Sequence, residues 1–322
     1  MKVLDSQDFL AALLSAKRPG VEKILAFCDW RAGAICTDGR LLLIPLDDHI
    51  CHRGDGIFES LAFRQGKLFA LDAHLERMWE GAQALAIVPP LSMREARELV
   101  CEVAGISGRE HGDVRIFLSR GPGGFGVSPA ECPLPGFYIV ALAAKEPAPD
   151  LYTQGLTAFT SSYPPKQEYL AKIKSVNYLP NVLMAAEAIA RADDVAITFD
   201  AAGNMGEAAI ANIAIVDKDG VFRSPETQNI LPGTTLLCAL ELAAEKMPVR
   251  IAPIHHSEIA AAREMLLLTS ATLCVPITKF DNRAVGDGKP GPVAAWLEKA
   301  LLEYMLAAGT PIGHEGTGHG RS

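Results

Sequence analysis

Lys174 and Glu207 have side chains that could act at opposite ends of a flat cofactor. Lys174 begins the segment Lys-Ser-Val-Asn-Tyr-Leu-Pro, and Glu207 follows a β-like run and a Gly203-Asn204 turn. A lysine whose pKa is lowered by its surroundings forms a Schiff base with an aldehyde. A carboxylate keeps a pyridine nitrogen protonated, which makes the ring an electron sink. Taken singly, such a lysine is far more often solvated, and such a glutamate is more often a turn carboxylate.

Together the two segments resemble a known family. Lys174-Ser-Val-Asn-Tyr-Leu matches the Schiff-base lysine segment of the class IV (fold type IV) pyridoxal-phosphate enzymes, and Glu207 with Asn212 matches their E-x4-N segment. This family contains branched-chain aminotransferases, D-amino-acid aminotransferases and aminodeoxychorismate lyases. The resemblance implies pyridoxal 5'-phosphate as cofactor, Lys174 as catalytic lysine, and Glu207 and Asn212 as cofactor-binding residues. Lys172 is the alternative lysine, because strand alternation would place both lysines on one side.

Arg77 is the first candidate for binding the cofactor phosphate. Asp72 is a possible cap of a helix whose apolar stripe comprises Leu75, Met78, Trp79, Ala82 and Leu85, and His74 and Arg77 lie off that stripe. The ordinary interpretation of Arg77 is a solvated helix arginine. However, the segment HLERM after GDGIFE resembles the family segment whose arginine binds the phosphate, and a guanidinium fork suits that role.

A second phosphate-binding element is expected at Gly233, Thr234 and Thr235. These residues precede an apolar helix, and the free amide hydrogens of a helix N-terminus bind anions. A threonine-capped helix without a ligand is the alternative. The resemblance of LPGTT to the family implies that these amides hold the phosphate together with Arg77. Thr272, in LLLTSATLC, occupies the position of another phosphate-contacting residue.

The resemblance also implies substrate-binding positions. Arg115 stands where branched-chain enzymes carry an active-site arginine, and Phe58 stands where bacterial D-amino-acid enzymes carry a carboxylate-binding tyrosine. Ala271 is expected at the substrate as well. Tyr178 is expected to bind the phenolic oxygen of the cofactor. The replacement at Phe58 argues against a bacterial type of D-specific site.

The favoured hypothesis is a pyridoxal-phosphate-dependent aminotransferase with a ping-pong Schiff-base mechanism. It would move an amino group between a branched-chain L- or D-amino acid and a 2-oxo acid. The alternative is an aminodeoxychorismate lyase of 4-aminobenzoate and folate synthesis, because SRGPGG is similar to the lyases and to plant D-amino-acid enzymes. A non-catalytic scaffold would require the loss of Lys174, Glu207 or Arg77, and all three are present.

Composition limits the class of protein. The chain has 322 residues, of which 49% are hydrophobic and 21% charged, so a large core is available. A net charge of −8 argues against a nucleic-acid partner. The absence of a signal segment or a long apolar run predicts a cytoplasmic protein without a membrane contact. No C-x-x-C pair occurs among the seven cysteines, and His314 and His319 are too few to predict a metal site.

The length and the Pro-containing linker indicate two domains, and the family resemblance implies an α+β protein of fold type IV. A smaller α/β domain (residues 1–145) is followed by a linker (146–155), a larger cofactor-binding domain with a β-barrel-like sheet (156–308) and a structureless tail (309–322). Ser92 and Glu95 predict a capping box. The family resemblance implies a homodimer, and the long loop 121–135, which has few residues able to form a core, is expected near the partner or the cofactor cleft.

Overall fold

Two β-sheets with helices packed against them make up the structure. The computed structural model describes residues 1–145, 147–148, 150–227 and 230–313. One sheet takes its strands from residues 24–143 and 310–311, and the other takes its strands from residues 156–284. The predicted α+β class is therefore confirmed. The limits of the two domains and of the linker stay a prediction, although the predicted linker contains the helical turn Leu151–Gln154.

Local capping signals set where several helices begin. The Asp5 side chain accepts a hydrogen bond from the backbone N–H of Asp8, and Ser92 and Glu95 form the predicted capping box. Asp72 does not cap its helix, which begins one residue earlier at Leu71. The α-helices of the described residues are α1 (Ser6–Ser15), α2 (His49–His52), α3 (Leu71–Ala84), α4 (Met93–Ile106), α5 (Leu151–Gln154), α6 (Glu168–Ala171), α7 (Leu179–Arg191), α8 (Thr234–Ala244) and α9 (Pro292–Ala308).

The first sheet is antiparallel and has the strand order β16-β4-β3-β5-β6-β1-β2. Its strands are β1 (Ile24–Asp29), β2 (Ala34–Cys36), β3 (Gly56–Arg64), β4 (Lys67–Leu68), β5 (Gly112–Ser119), β6 (Gly136–Ala143) and β16 (Thr310–Pro311). Side chains alternate along β3. Ile57, Leu61 and Phe63 therefore join the core under α3 and α4, whereas Phe58 and Ser60 face the opposite side.

The second sheet is mixed and has the order β12-β11-β10-β13-β14-β7-β8-β9, with β15 paired to β14. Helices α8 and α9 cover one of its faces. A second apolar cluster, which includes Ile213, Ile215 and Ile277, fills the other face. The strands are β7 (Leu156–Thr160), β8 (Val195–Phe199), β9 (Met205–Ala208), β10 (Asn212–Val216), β11 (Phe222–Ser224), β12 (Val249–Ile251), β13 (Glu264–Thr269), β14 (Leu273–Phe280) and β15 (Arg283–Ala284).

The second sheet curls until its two ends meet. Asn204, just before the terminal strand β9, forms a bridge with His255, which follows the other terminal strand, β12. The N–H of Met205 donates to the Ile254 carbonyl oxygen over 2.8 Å. Because the edges of a curled sheet satisfy each other in this way, the core inside is enclosed as in a barrel.

The prediction that residues 309–322 lack structure is wrong at its beginning. Thr310–Pro311 forms β16, which pairs with the open edge of β4. Ile312 packs against the core of the first sheet, and the N–H of Gly313 donates to the Cys101 carbonyl oxygen. An unpaired strand edge and an apolar side chain together explain why the segment docks. The rest of the predicted tail, with His314 and His319, lies outside the described residues.

Candidate active site

A cavity of 290 Å³ lies between the two sheets. This volume is at the lower end of the range of about 300–1,000 Å³ for small-molecule sites. The first sheet contributes residues from β3 and β5, and the second contributes β9, the turn before α8 and the turn after β13. The predicted site residues that line the cavity are Phe58, Arg77, Arg115, Lys174, Tyr178, Glu207, Asn212, Gly233, Thr234, Thr235 and Ala271.

Lys174 is held in the cavity wall by pairing with β3. The Phe58 N–H donates to the Lys174 carbonyl oxygen over 2.9 Å, and Ser175 forms a bridge with Ile57. Burial lowers the pKa of the Lys174 amine to about 8, although Glu59 and Glu207 oppose the shift. With this pKa about a tenth of the amine is unprotonated and nucleophilic at pH 7, and about half at pH 8. Lys172, the alternative lysine, is exposed and does not line the cavity.

Aromatic side chains flank the Lys174 amine. Its Nζ lies 4.9 Å from the centre of the Phe58 ring and 3.5 Å from the Tyr178 hydroxyl. Phe58 stacks on Phe117 at 5.9 Å and meets Tyr178 edge-on at 5.0 Å. Burial, with Glu207 and Glu59, raises the pKa of the Tyr178 hydroxyl, so Tyr178 stays a neutral phenol that donates a hydrogen bond.

Glu207 projects into the cavity from β9. Its Oε2 accepts a hydrogen bond from the backbone N–H of Leu231 at 3.1 Å, and its carbonyl oxygen accepts one from the Thr198 hydroxyl at 3.0 Å. Burial raises the pKa of the Glu207 carboxyl, against the opposing charge of Lys166. A carboxylate that is fixed in place and weakly solvated is suited to binding a protonated ring nitrogen.

Arg77 is not the solvated arginine of the ordinary interpretation. Its side chain is 10% exposed, and it forms a bidentate ion pair with Glu59. Nε donates to Glu59 Oε1 over 2.8 Å and Nη2 donates to Oε2 over 2.6 Å. Nη1 donates to the Pro232 carbonyl oxygen over 2.8 Å. These bonds hold the guanidinium beside the turn that leads into α8.

The N-terminus of α8 opens on the same part of the cavity. Thr234 is the first helical residue, and no side chain caps the helix. A Cβ on Gly233 would lie 2.0 Å from Asn212 Oδ1, so only glycine permits this close approach. Asn212 Nδ2 donates to the Leu231 carbonyl oxygen over 2.8 Å and thereby anchors the turn. Free amides and Arg77 together form a site for an anion.

Arg115 reaches the cavity from β5 without a carboxylate partner. Among the residues that the structure describes, no carboxylate lies within ion-pair distance of its guanidinium. Burial lowers the pKa of Arg115, and Asp113 and Tyr178 oppose the shift, but a guanidinium stays charged in proteins. A cation that is largely removed from water and faces a cavity favours a ligand with a carboxylate.

Thr272 does not line the cavity, in contrast to the sequence-based prediction. Its hydroxyl lies 2.9 Å from the Thr269 hydroxyl, and its N–H donates to Thr269 Oγ1 over 3.0 Å. These local bonds close the turn between β13 and β14 and direct the Thr272 side chain towards Thr269. Ser270 and Ala271 are the turn residues that reach the cavity.

Several residues at the site were not predicted. Glu59 and His74 are fully buried, although His74 was placed off the buried stripe of its helix. The available signal was a carboxylate within the apolar face of a strand, which requires a cationic partner when it is buried. Lys166 and Ser270 follow no pattern that would have identified them. The residues missed are Glu59, Ser60, His74, Lys166 and Ser270.

Comparisons with known proteins agree with this geometry. The family model for amino-transferase class IV matches residues 56–280, which is more than half of the chain. The chain belongs to the class IV aminotransferase family. It is 32% identical over 294 residues to the chloroplastic D-amino-acid transaminase of Arabidopsis thaliana, covering 89% of this chain and 77% of that protein.

Two solved structures show the same architecture. One is a branched-chain amino acid aminotransferase from T.th. with pyridoxamine 5'-phosphate (TM-score 0.83, 24% identity, covering 88% of this chain and 95% of the other). The second is the 4-amino-4-deoxychorismate lyase of Pseudomonas aeruginosa (TM-score 0.72, 25% identity, covering 81% and 95%). The predicted fold type IV architecture is thereby confirmed.

Class IV aminotransferases use pyridoxal 5'-phosphate, and the cavity of this aminotransferase fits that cofactor. The polar groups of the cavity match the aldehyde, the ring nitrogen and the phosphate of the cofactor. Lys174 would supply an amine for the aldehyde, Glu207 would offer a carboxylate to the ring nitrogen, and Arg77 with the α8 amides would offer N–H donors to the phosphate.

The structure bears on two further kinds of site. In the described part of the chain, no three His, Cys, Asp or Glu side chains are grouped in a way that could hold a metal ion. Nor do those residues include an α-helix with the length and apolar character needed to cross a membrane.

Proposed function

We propose that this class IV enzyme transfers an amino group between an α-amino acid and a 2-oxo acid in a ping-pong cycle. The observation that carries the proposal is the unpaired Arg115 guanidinium in the cavity that holds the Lys174 amine. A substrate carboxylate bound by Arg115 would hold the α-carbon within the same enclosed space as Lys174. Pyridoxal 5'-phosphate supplies an aldehyde and an electron sink when bound.

Side chains of the protein would perform the proton transfers and orient the reacting groups. Lys174, whose pKa is about 8, would accept a proton from the substrate α-carbon and deliver one to the former aldehyde carbon of the cofactor, two bonds away, as general base and acid. Tyr178 stays protonated and orients a neighbouring oxygen by hydrogen bonding. Glu207 holds a proton at the ring nitrogen. The walls of the cavity restrict the access of water, which would otherwise compete for these polar groups.

We propose apolar α-amino acids, branched-chain L- or D-, as the substrates. Phe58 and Phe117 form a stacked aromatic wall beside Tyr178, and the cavity is lined at Ala209, Ile210 and Ala211 by small or apolar side chains. An apolar side chain gains free energy by leaving water for such a surface. The likeness to a D-amino-acid transaminase supports the D-series, and the fold shared with a branched-chain enzyme leaves the L-series open.

A panel of amino donors tests the function and the stereochemistry together. Protein loaded with cofactor is mixed with matched L- and D-amino acids and a 2-oxo acid acceptor, and the new 2-oxo acid is quantified. The lyase alternative is assayed in parallel by 4-aminobenzoate release from aminodeoxychorismate, because the Pseudomonas aeruginosa relative carries that name. Release of 4-aminobenzoate together with pyruvate from aminodeoxychorismate, with no 2-oxo acid formed from any amino donor, would establish the lyase instead, and no product in either assay would favour the scaffold hypothesis.

We propose that the enzyme is a homodimer. The loop at residues 121–135 exposes Phe125, Val127 and Leu134 by 64, 81 and 71%. Arg53 holds the loop by donating to the carbonyl oxygens of Phe125 and Gly126. A fixed loop with apolar side chains in solvent is typical of an interface. Light scattering should give twice the mass of the 34.4 kDa chain, and the double variant Phe125→Ser/Val127→Ser should weaken assembly.

A cytoplasmic location also remains a proposal. It rests on features of the sequence alone, and the relative from Arabidopsis thaliana is named as a chloroplastic protein. Fractionation of the source cells with an antibody against the chain would test it.

A further inference from the structure

A buried hydrogen-bond chain connects the phosphate side of the cavity to Glu59. His74 Nδ1 lies 2.6 Å from Glu59 Oε2, and Nε2 lies 3.0 Å from the Thr234 hydroxyl and 3.5 Å from the Ser270 hydroxyl. The side chains of Glu59 and His74 are each 1% exposed. His74 therefore joins a buried carboxylate to the first residue of α8, where the amides that would bind the phosphate begin.

The protons in this hydrogen-bond chain can be assigned from the charges of its members. Burial raises the pKa of the Glu59 carboxyl, but Arg77 and His74 outweigh burial and lower it to about 2, so Glu59 is ionised and only accepts. Nδ1 of His74 therefore carries a hydrogen and donates. Burial lowers the pKa of His74, which is then neutral near pH 8, and its bare Nε2 accepts from the Thr234 hydroxyl.

In this arrangement the Thr234 hydroxyl has no hydrogen to offer to an anion bound by the α8 amides. The Thr234 hydroxyl hydrogen points to His74, so the hydroxyl presents lone pairs to the cavity. Arg77 is already paired with Glu59, so the pair is neutral as a whole. The charged groups around the imidazole are Glu59 of β3, Arg77 of α3 and the Lys174 amine. A dianionic phosphate adds negative charge at the cavity end of the hydrogen-bond chain, and this charge favours the protonated form of the His74 imidazole.

We propose that His74 is a positioning residue that takes up one proton when the cofactor phosphate binds. The proton comes from solvent and adds to Nε2, so that Nε2 becomes a donor to Thr234 Oγ1. The Thr234 hydroxyl is then free to turn its own hydrogen towards the phosphate. No other bond is made or broken. The inference rests on the cofactor and not on the proposed substrate, so it stands whichever amino acid the enzyme uses.

Binding of pyridoxamine 5'-phosphate to the cofactor-free chain tests this proposal without Schiff-base chemistry. At pH 8 the phosphate is a dianion, because its second pKa is about 6. The binding enthalpy is measured in buffers of different ionisation enthalpy, and the slope gives the number of protons taken up. His74→Gln should take up about one proton fewer than the parent and bind the ligand about tenfold more weakly.

His111→Gln removes an exposed histidine and is the matched control, with the proton number and affinity of the parent expected. An equal proton number in the parent and in His74→Gln would overturn the proposal.

A second measurement does not depend on any variant. The chain is labelled with 15N at its histidines, and the imidazole nitrogens are observed before and after pyridoxamine 5'-phosphate is added. One neutral imidazole should become protonated at pH 8, whereas pyridoxamine, which lacks the phosphate, should produce no such change. If no imidazole becomes protonated with the phosphate ligand, His74 has a structural role only.

Discussion

The Lys166 ammonium nitrogen lies 4.7 Å from the centre of the Tyr178 ring. Tyr178 in turn lies 3.5 Å from the Lys174 amine, so a second cation stands behind the aromatic wall of the site. Lys166 is the leading charge that opposes the raised pKa of Glu207, and it also lowers the pKa of Lys174. The proline-rich segment that carries Lys166 thus contributes electrostatically to both functional residues.

Lys166→Met should raise the pKa of Lys174 above about 8. Removal of a nearby like charge stabilises the protonated amine, and the neutral, nucleophilic fraction at pH 8 falls. Reductive methylation of Lys174 in the cofactor-free chain, followed by mass spectrometry over a range of pH, reports this pKa. Lys172→Met removes an exposed lysine and should leave the titration of Lys174 in place. A lowered midpoint in Lys166→Met would contradict the assignment.

Lys174→Ala should abolish transamination and leave the fold intact. The role of Lys174 is chemical, and loss of a general base commonly slows a reaction by about 10²–10⁴-fold before the loss of its nucleophilic role is counted. Activity, circular dichroism and borohydride-fixed cofactor are measured together. Lys172→Ala is the control and should keep full activity. Cofactor found by peptide mapping on Lys172 would show that the wrong lysine had been assigned.

Glu207→Gln should retain the cofactor and slow turnover by about a hundredfold or more, as removal of one electrostatic partner at a reacting centre does. A neutral amide does not hold a proton at the ring nitrogen as a carboxylate does. Two quantities are measured. The turnover at saturating substrate should fall, whereas the cofactor occupancy should not. Glu241→Gln, at an exposed position on α8, is the control. Turnover within threefold of the parent would remove Glu207 from its assigned role.

The parts of the site that the sequence predicted are those with short-range patterns. Lys174 stands in a contiguous motif, and the N-terminus of α8 follows a Pro-Gly turn, so local spacing indicates their roles. The alternation along β3 likewise explains why Phe58 faces the cavity. Element type and motif position carry this information without any knowledge of the tertiary structure.

The missed features depend on contacts between distant segments. Glu59 and Arg77 come from a strand and a helix, and His74 meets Thr234, which is 160 residues away. No periodicity encodes such a meeting. Thr272 was misplaced for a different reason. In a tight turn a shift of one or two positions decides which side chain faces the cavity, and the hydrogen bond to Thr269 made that choice.

Arg77→Ala should weaken cofactor affinity about ten- to a hundredfold, because a charge-assisted hydrogen bond contributes about 1.5–3 kcal/mol. It should also destabilise the cofactor-free protein by about 3–5 kcal/mol, since the buried Glu59 carboxylate loses its cationic partner and keeps only the hydrogen bond from His74. Affinity is measured by cofactor titration, and stability by urea unfolding. Arg94→Ala, at an exposed position of α4, controls for loss of positive charge.

The double variant Glu59→Gln/Arg77→Ala separates the two effects of Arg77. It should recover part of the stability, because no unpaired charge remains, but none of the affinity. Recovery of affinity in the double variant would show that Arg77 acts only by neutralising Glu59.

Acid should destabilise the protein through Glu59 in a defined pH window. The pKa of this carboxyl is about 2 in the folded chain, against an ordinary value of 4.5. A group whose folded pKa is depressed contributes its stabilisation above the unfolded value, and loses it as the pH falls from 4.5 towards 2. Urea unfolding of the cofactor-free protein between pH 7 and 3 should show this decline. Glu59→Gln should be less stable than the parent at pH 7, and its free energy of unfolding should change less across the window. Glu241→Gln should keep the slope of the parent. An equal acid slope in Glu59→Gln would mean that other carboxylates control the transition, and that Arg77 does not hold Glu59 ionised.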